Sequence, residues 1–167
     1  MGIFGDAKPT TIAGFIVAIV SFVLQLTSFA TPYWMHIKMG NVDSHFGLWQ
    51  MCLPTISGTT ECSQIECEKF GCPSFKGTQA LETLAFIILL AAVVLVAVQL
   101  FMMKDKDILK KAGAVCCIVA GVFALIGVIV YATQNGVKTS NLHFSFAFCI
   151  IAAIGGIVSG VLLIMGG

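Results

Sequence analysis

Arginine is absent: all nine basic residues are lysine, set against eight acids for a net charge of +1. A chain so short of positive charge has no basic stripe for a phosphate backbone, which excludes nucleic acid as a partner. Charge of either sign is scarce, at 10% of 167 residues, where a soluble domain carries roughly 25%. There is no C-x-x-C pair of the kind membrane thiol oxidoreductases turn toward a quinone. His36, His45 and His143 are dispersed along the chain, and His45 with Asp43 reads as a solvated loop pair. No Ser/His/Asp order or carboxylate pair inside an apolar block suggests hydrolysis. The chain is therefore expected not to be an enzyme, with no catalytic residue, cofactor or metal.

What the sequence has instead is apolar length. Hydrophobic residues make up 58% of it, mean hydropathy is +1.00, and they gather into four blocks at 12–30, 84–103, 112–133 and 144–167. Each block is near the ~20 residues that cross ~30 Å of hydrocarbon as a helix. Helix is the form in which an unbroken apolar run satisfies its own backbone in lipid. The fold class expected is an all-α membrane four-helix bundle, one four-span domain over 1–167 with connections at 32–79, 104–111 and 134–143. The opening residues fail the myristoylation pattern at Asp6. Ser28 and Ala30 place small residues where a signal peptidase cuts, but the run before them is too long for a signal, so the first span is expected to be retained.

Lys8, Lys104, Lys106, Lys110 and Lys111 fall on the side of the termini, five of the nine lysines. The positive-inside rule then places both termini in the cytoplasm and the long connection outside a plasma-membrane protein. All seventeen charged residues fall outside the span cores, with Glu82 at the outer mouth of the second. Pumps and ion-coupled transporters keep ionisable groups at membrane depth, so the bundle reads as a scaffold. Gln25 and Gln99 are the strongly polar residues inside, read as interhelical hydrogen-bond partners. Small residues recur every fourth position at Gly113, Cys117 and Gly121, and again at Ala152, Gly156 and Gly160. They let helix backbones approach closely, within one bundle on the first reading and between subunits on the second.

The connection 32–79 is too small to hold itself by a hydrophobic core, and it contains Cys52, Cys62, Cys67 and Cys72. An even set on an oxidising face reads as two disulfides, for which three pairings exist. Cys52 with Cys62 is favoured, because 46–53 is apolar and aromatic enough for a strand and 54–60 is rich in turn formers. Such a bridge is worth about 3 kcal/mol on the chain-entropy model, and Cys67 with Cys72 would close a tight turn around Gly71. Zinc is the weaker alternative. Cys116 and Cys117 read as buried small residues or as palmitoylation sites near the cytoplasmic face, with Cys149 too far away to join them.

Trp34 just beyond the first span, then Gly47, Leu48 and Trp49, then Cys52 and Cys62, form an arrangement that resembles the first-loop signature of the claudin superfamily. That superfamily includes the peripheral myelin protein and epithelial membrane protein branch. The likeness covers the whole chain in topology, and its specific motif lies between Trp34 and Cys62; it is most like an invertebrate-type or divergent claudin. It implies a left-handed bundle carrying a small extracellular antiparallel sheet, four strands from the first loop and one from the second, with Cys52–Cys62 a structural bridge. Trp34 and the Gly47–Trp49 unit would anchor that sheet at the lipid surface, where a tryptophan ring is apolar and its N–H stays wet.

Several positions depart from the family pattern. The interval from Trp34 to Gly47 is short for a claudin and leans toward the myelin branch, yet the loop lacks the Asn-x-Ser/Thr sequon common there. Gln79 stands where claudins place an arginine, and Cys67 and Cys72 are additional. Ser63 occupies the position after the second cysteine where channel-forming claudins tune ion selectivity. Glu61, Glu66 and Glu68 are either a solvated acidic face or a field that attracts cations. Phe70 and Phe75 are candidate oligomer contacts or residues packed beneath the sheet or on the lipid.

The function implied is a structural protein of cell–cell junctions. It would associate through its outer loops into a paracellular barrier or selective channel, in contact with membrane lipids and with copies of itself in cis and in trans. The alternative is a four-span auxiliary subunit or myelin-protein-like organiser of a channel or adhesion partner.

Overall fold

The computed structural model describes residues 7–40, 42–55, 58–65, 72–103, 106–134 and 137–166. Helix α1 (Pro9–Ala30) is followed by strands β1 (Met35–Met39), β2 (Val42–Phe46), β3 (Gln50–Pro54) and β4 (Thr60–Gln64). Helices α2 (Cys72–Phe101), α3 (Asp107–Ala132) and α4 (Phe144–Met165) complete the chain, with a 3-10 turn at Thr139–Asn141. Among the described residues four helices are long and apolar enough to cross a membrane.

The helices pack as two antiparallel pairs, α1 with α4 and α2 with α3, joined chiefly along α3 and α4. Small residues decide this arrangement. A methyl group on Gly121 would lie 2.6 Å from the Ala153 carbonyl, and one on Gly160 would lie 2.6 Å from the Ala114 carbonyl. Gly113 meets Val96 of α2 in the same way. The two small-residue stripes therefore serve contacts inside the bundle, where close backbone approach gives apolar helices their dispersion contacts. Outward-facing Ile16, Val20, Ile87, Val94, Ile151 and Val158 are exposed, as expected for side chains solvated by lipid.

At the end of the bundle that carries the termini, Lys110 is 6% exposed. Its Nζ donates to the Gly166 carbonyl at 3.1 Å and pairs with Asp107 at 3.1 Å. A cation at a helix C-terminus satisfies carbonyls that have no intrahelical partner. Thr11 Oγ1 donates to the same carbonyl at 3.3 Å, joining α1 to the knot.

The sheet sits at the other end, antiparallel throughout in the order β1-β2-β3-β4. Gly40, with φ +63°, supplies the left-handed residue of the β1–β2 turn. The β3–β4 turn falls in the stretch rich in turn formers: Thr55 N–H donates to the Thr59 carbonyl at 2.7 Å, and Gly58 N–H to the Thr55 carbonyl at 3.0 Å. Two expectations are corrected. The expected strand over 46–53 is broken, because Gly47–Trp49 turns down into the bundle between β2 and β3. The expected fifth strand is, among the described residues, one bridge between Met35 and Leu142; the second connection is too short to run farther along β1.

Helix α2 begins at Cys72, twelve residues before the expected start of its span at 84. Hydropathy ends a span at its first polar cluster. Here Thr78, Gln79 and Glu82 belong to helical turns whose polar side chains face protein.

Candidate functional site

The signature residues form the seam between sheet and bundle. Trp34 is fully buried, its ring edge-on to Tyr131 at 4.9 Å and to Phe146 at 5.9 Å. Its indole N–H donates to the Ser28 carbonyl at 2.8 Å, one of the last carbonyls of α1, which lack an intrahelical donor. Its backbone is held on both sides, N–H to Phe46 and carbonyl from His143 N–H. This corrects the expectation that Trp34 sits at the lipid surface with a wet N–H: the ring is core, and the donor is used inside the protein. Trp49 does keep an outer position, 39% exposed and edge-on to Phe29 at 5.2 Å.

Gly47 and Leu48 make the second anchor. Leu48 is fully buried, and its carbonyl accepts from Gln79 Nε2 at 2.7 Å. Gln79, from the first turns of α2, thus grips the turn. A β-carbon on Gly47 would lie 2.5 Å from Pro32 Cα and 2.8 Å from the Thr31 carbonyl, both backbone atoms that cannot rotate away. Gly47→Ala is expected to lower stability by about 1–3 kcal/mol through overpacking. Gly77→Ala, with nothing near its added carbon, is expected to stay at or slightly above wild type because alanine favours helix. Thermal unfolding in detergent compares the two.

Cys52 and Cys62 are joined by a disulfide across β3 and β4, where they are direct cross-strand partners. Cys52 is buried, and every residue of the outer strand β4, Glu61 and Ser63 included, is exposed. Cys67, Glu66, Glu68 and Phe70 lie outside the described residues, as does the side chain of Cys72. Phe75 is buried beside Tyr131, so as a candidate oligomer contact it is corrected to a core residue beneath the sheet. Cys117 is buried as well, accepting from Ser159 Oγ at 3.8 Å, while Cys116 is half-buried.

Glu82, expected at the mouth of its span, is fully buried between helices. Gln25 Nε2 donates to Glu82 Oε2 at 2.7 Å, and Cys149 Sγ donates to the same oxygen at 3.2 Å. Gly127 of α3 packs against the other oxygen, leaving no room for a side chain. One residue from each helix meets here. Gln25, Gly127 and Cys149 each stand five residues from their helix's sheet-side end, about 8 Å of helical rise. The expected interhelical bond of Gln25 is thus directed at a carboxyl group.

The histidines expected to be dispersed come together. His36 and His45 are cross-strand partners with rings stacked at 4.7 Å, and His143 is edge-on to His36 at 5.6 Å. Tyr33 lies against His45 at 4.7 Å and His143 at 5.8 Å. Asp43 pairs with His36, at 3.2 Å, rather than with His45. Partial burial and the neighbouring imidazoles of His36 and His143 lower the pKa of His45, against a smaller opposite pull from Asp43. Sequence separation hid this group, since His143 reaches the sheet from beyond α2 and α3 in the chain. Among the described residues no set of three His, Cys, Asp or Glu side chains is disposed to hold a metal ion.

Comparison with curated proteins finds no match. The family model described as PMP-22/EMP/MP20/Claudin matches residues 9–167. That match takes in the four helices, the stapled sheet and the Trp34 and Gly47–Trp49 seam. The chain belongs to the PMP-22/EMP/MP20/Claudin family, a four-span membrane protein with a disulfide-linked antiparallel sheet at one end of its bundle.

Proposed function

We propose that this protein is a contact-forming element of cell–cell junctions. Its sheet faces the extracellular space, both termini are cytoplasmic, and copies associate in cis and in trans to form a barrier or a selective channel between cells. The observation that carries this reading is the rigid presentation of an open sheet edge. β4 is exposed along its whole length, cross-linked to β3 and fixed through the Gly47–Trp49 turn to a bundle whose polar groups are turned inward. An edge strand offers unpaired backbone donors and acceptors to another chain. Glu61 on that strand, with Glu66 and Glu68 beyond it, supplies the negative field that a cation-selective form would use.

Expression in cells that lack junction strands is the test. Enrichment at cell–cell borders, with filaments in freeze-fracture replicas, is the expected outcome. Diffuse surface staining overturns it in favour of an auxiliary subunit or organiser of another membrane protein. In monolayers, neutralising Glu61, Glu66 and Glu68 together is expected to lower the cation preference read from Na+/Cl- dilution potentials.

A further inference from the structure

The histidine cluster has no part in junction contacts made through β4. We propose that His36, His45 and His143 form an acid-released clasp between the two sheet-end connections: the packed rings hold the segment 137–143 against β1, and protonation at His45 frees it.

The segment's other ties to the sheet end include the His143 N–H to the Trp34 carbonyl at 3.0 Å, the bridge from Leu142 to Met35 and the packing of Val137 and Leu142 on the core around Trp34; just beyond it the Ser145 N–H donates to the Tyr33 carbonyl at 3.2 Å. Around these the rings of Tyr33, His36, His45 and His143 make one contiguous cluster, stacked between His36 and His45 and edge-on or tilted elsewhere. The Nδ1 atoms of His45 and His143 are buried without a hydrogen-bond partner. At His45 such an atom is tolerated as a neutral lone pair and not as a charged donor.

The facing groups give the sign. His45 meets His36 from β1, His143 from the approach to α4 and Asp43 from its own strand. From β3 its partner is Cys52, which is in the disulfide and does not titrate. The 3-10 turn packed on β1 presents Thr139, Ser140 and Asn141, with Lys138 before it. Asp43 is shared between His36 and Lys38. Three imidazoles therefore face one carboxylate that already has a lysine partner. Because the pKa of His45 is lowered, its contribution is whole above about pH 6.5 and is lost as pH falls through the lowered value.

Hydrogen exchange on the whole chain in lipid nanodiscs tests this at pH 7.5, 6.0 and 5.0, with rates corrected for intrinsic pH dependence. Protection of the amides at 142–145 is expected to drop at least tenfold between pH 7.5 and 5.0 while those of β3 and β4 hold. Wild-type protection at 142–145 that survives to pH 5.0 overturns the clasp, and so does a parallel loss across β3 and β4. In the variant His45→Gln the change should vanish; a wild-type drop persisting there also overturns it. Should that variant fail to fold, His45→Phe is read in its place, with the same two outcomes, and the wild-type titration decides by itself.

Discussion

Trp34→Ala is expected to cost about 3–5 kcal/mol, the range for deleting a large buried aromatic side chain, and to leave little folded protein at the cell surface. Two side-chain losses coincide at this residue, whose backbone bonds an alanine keeps. Its ring fills the centre of the sheet-end core between Tyr131 and Phe146, and the cavity left behind is bounded by helices that cannot collapse without moving the sheet. Its indole N–H satisfies the Ser28 carbonyl at the end of α1. Its backbone ties β2 to the start of α4 just beyond the end of α1. Trp34→Phe separates these effects by keeping most of the packing and dropping the donor, for an expected cost of about 1–2 kcal/mol. Trp49→Ala is the contrast. With 39% of its surface exposed and an edge-on contact to Phe29, it should cost about 1 kcal/mol, the worth of one aromatic pair. Equal losses at the two tryptophans in a denaturation series would contradict the division between a core anchor and a surface anchor.

That division was beyond reach of the sequence. Tryptophan beside a span is equally at home at the lipid interface or beneath a sheet, and only the fold-back of 31–34 over α1 decides. The spans were legible because uninterrupted apolar length has one solution in lipid, and the β3–β4 hairpin because its turn residues lie between two cysteines. The start of α2 was not, since Thr78, Gln79 and Glu82 are polar by composition and interior by position. The three histidines were invisible as a group for a related reason. Two of them meet through strand register, which depends on where the Gly40 turn falls, and the third arrives by the packing of α4 against α1. Composition reports solvation preferences one residue at a time. Both polar clusters draw together elements distant in sequence.

Glu82 is where that difference has the largest measurable consequence. A carboxyl group inside a membrane bundle is costly unless its oxygens are partnered, and here one oxygen takes both the Gln25 amide and the Cys149 thiol. Interhelical hydrogen bonds in membrane proteins average about 0.6 kcal/mol, so the bonds themselves contribute little. Removing the acceptor matters more: a buried amide left without a partner costs about 1–3 kcal/mol, and truncation adds a void. Glu82→Ala is therefore expected to lose about 3–4 kcal/mol. Glu82→Gln keeps an oxygen for Gln25 and should stay within about 1 kcal/mol of wild type, the scale of a single hydrogen bond. Glu82→Leu restores volume but strands the Gln25 donor, and adding Gln25→Leu removes the stranded group. The double variant should then be more stable than Glu82→Leu alone, a coupling of about 1–2 kcal/mol in a double-mutant cycle. Strict additivity of the two leucine substitutions would mean that the buried carboxyl is held by packing against Gly127 alone, and that the polar contact across α1 and α2 carries none of the bundle's stability.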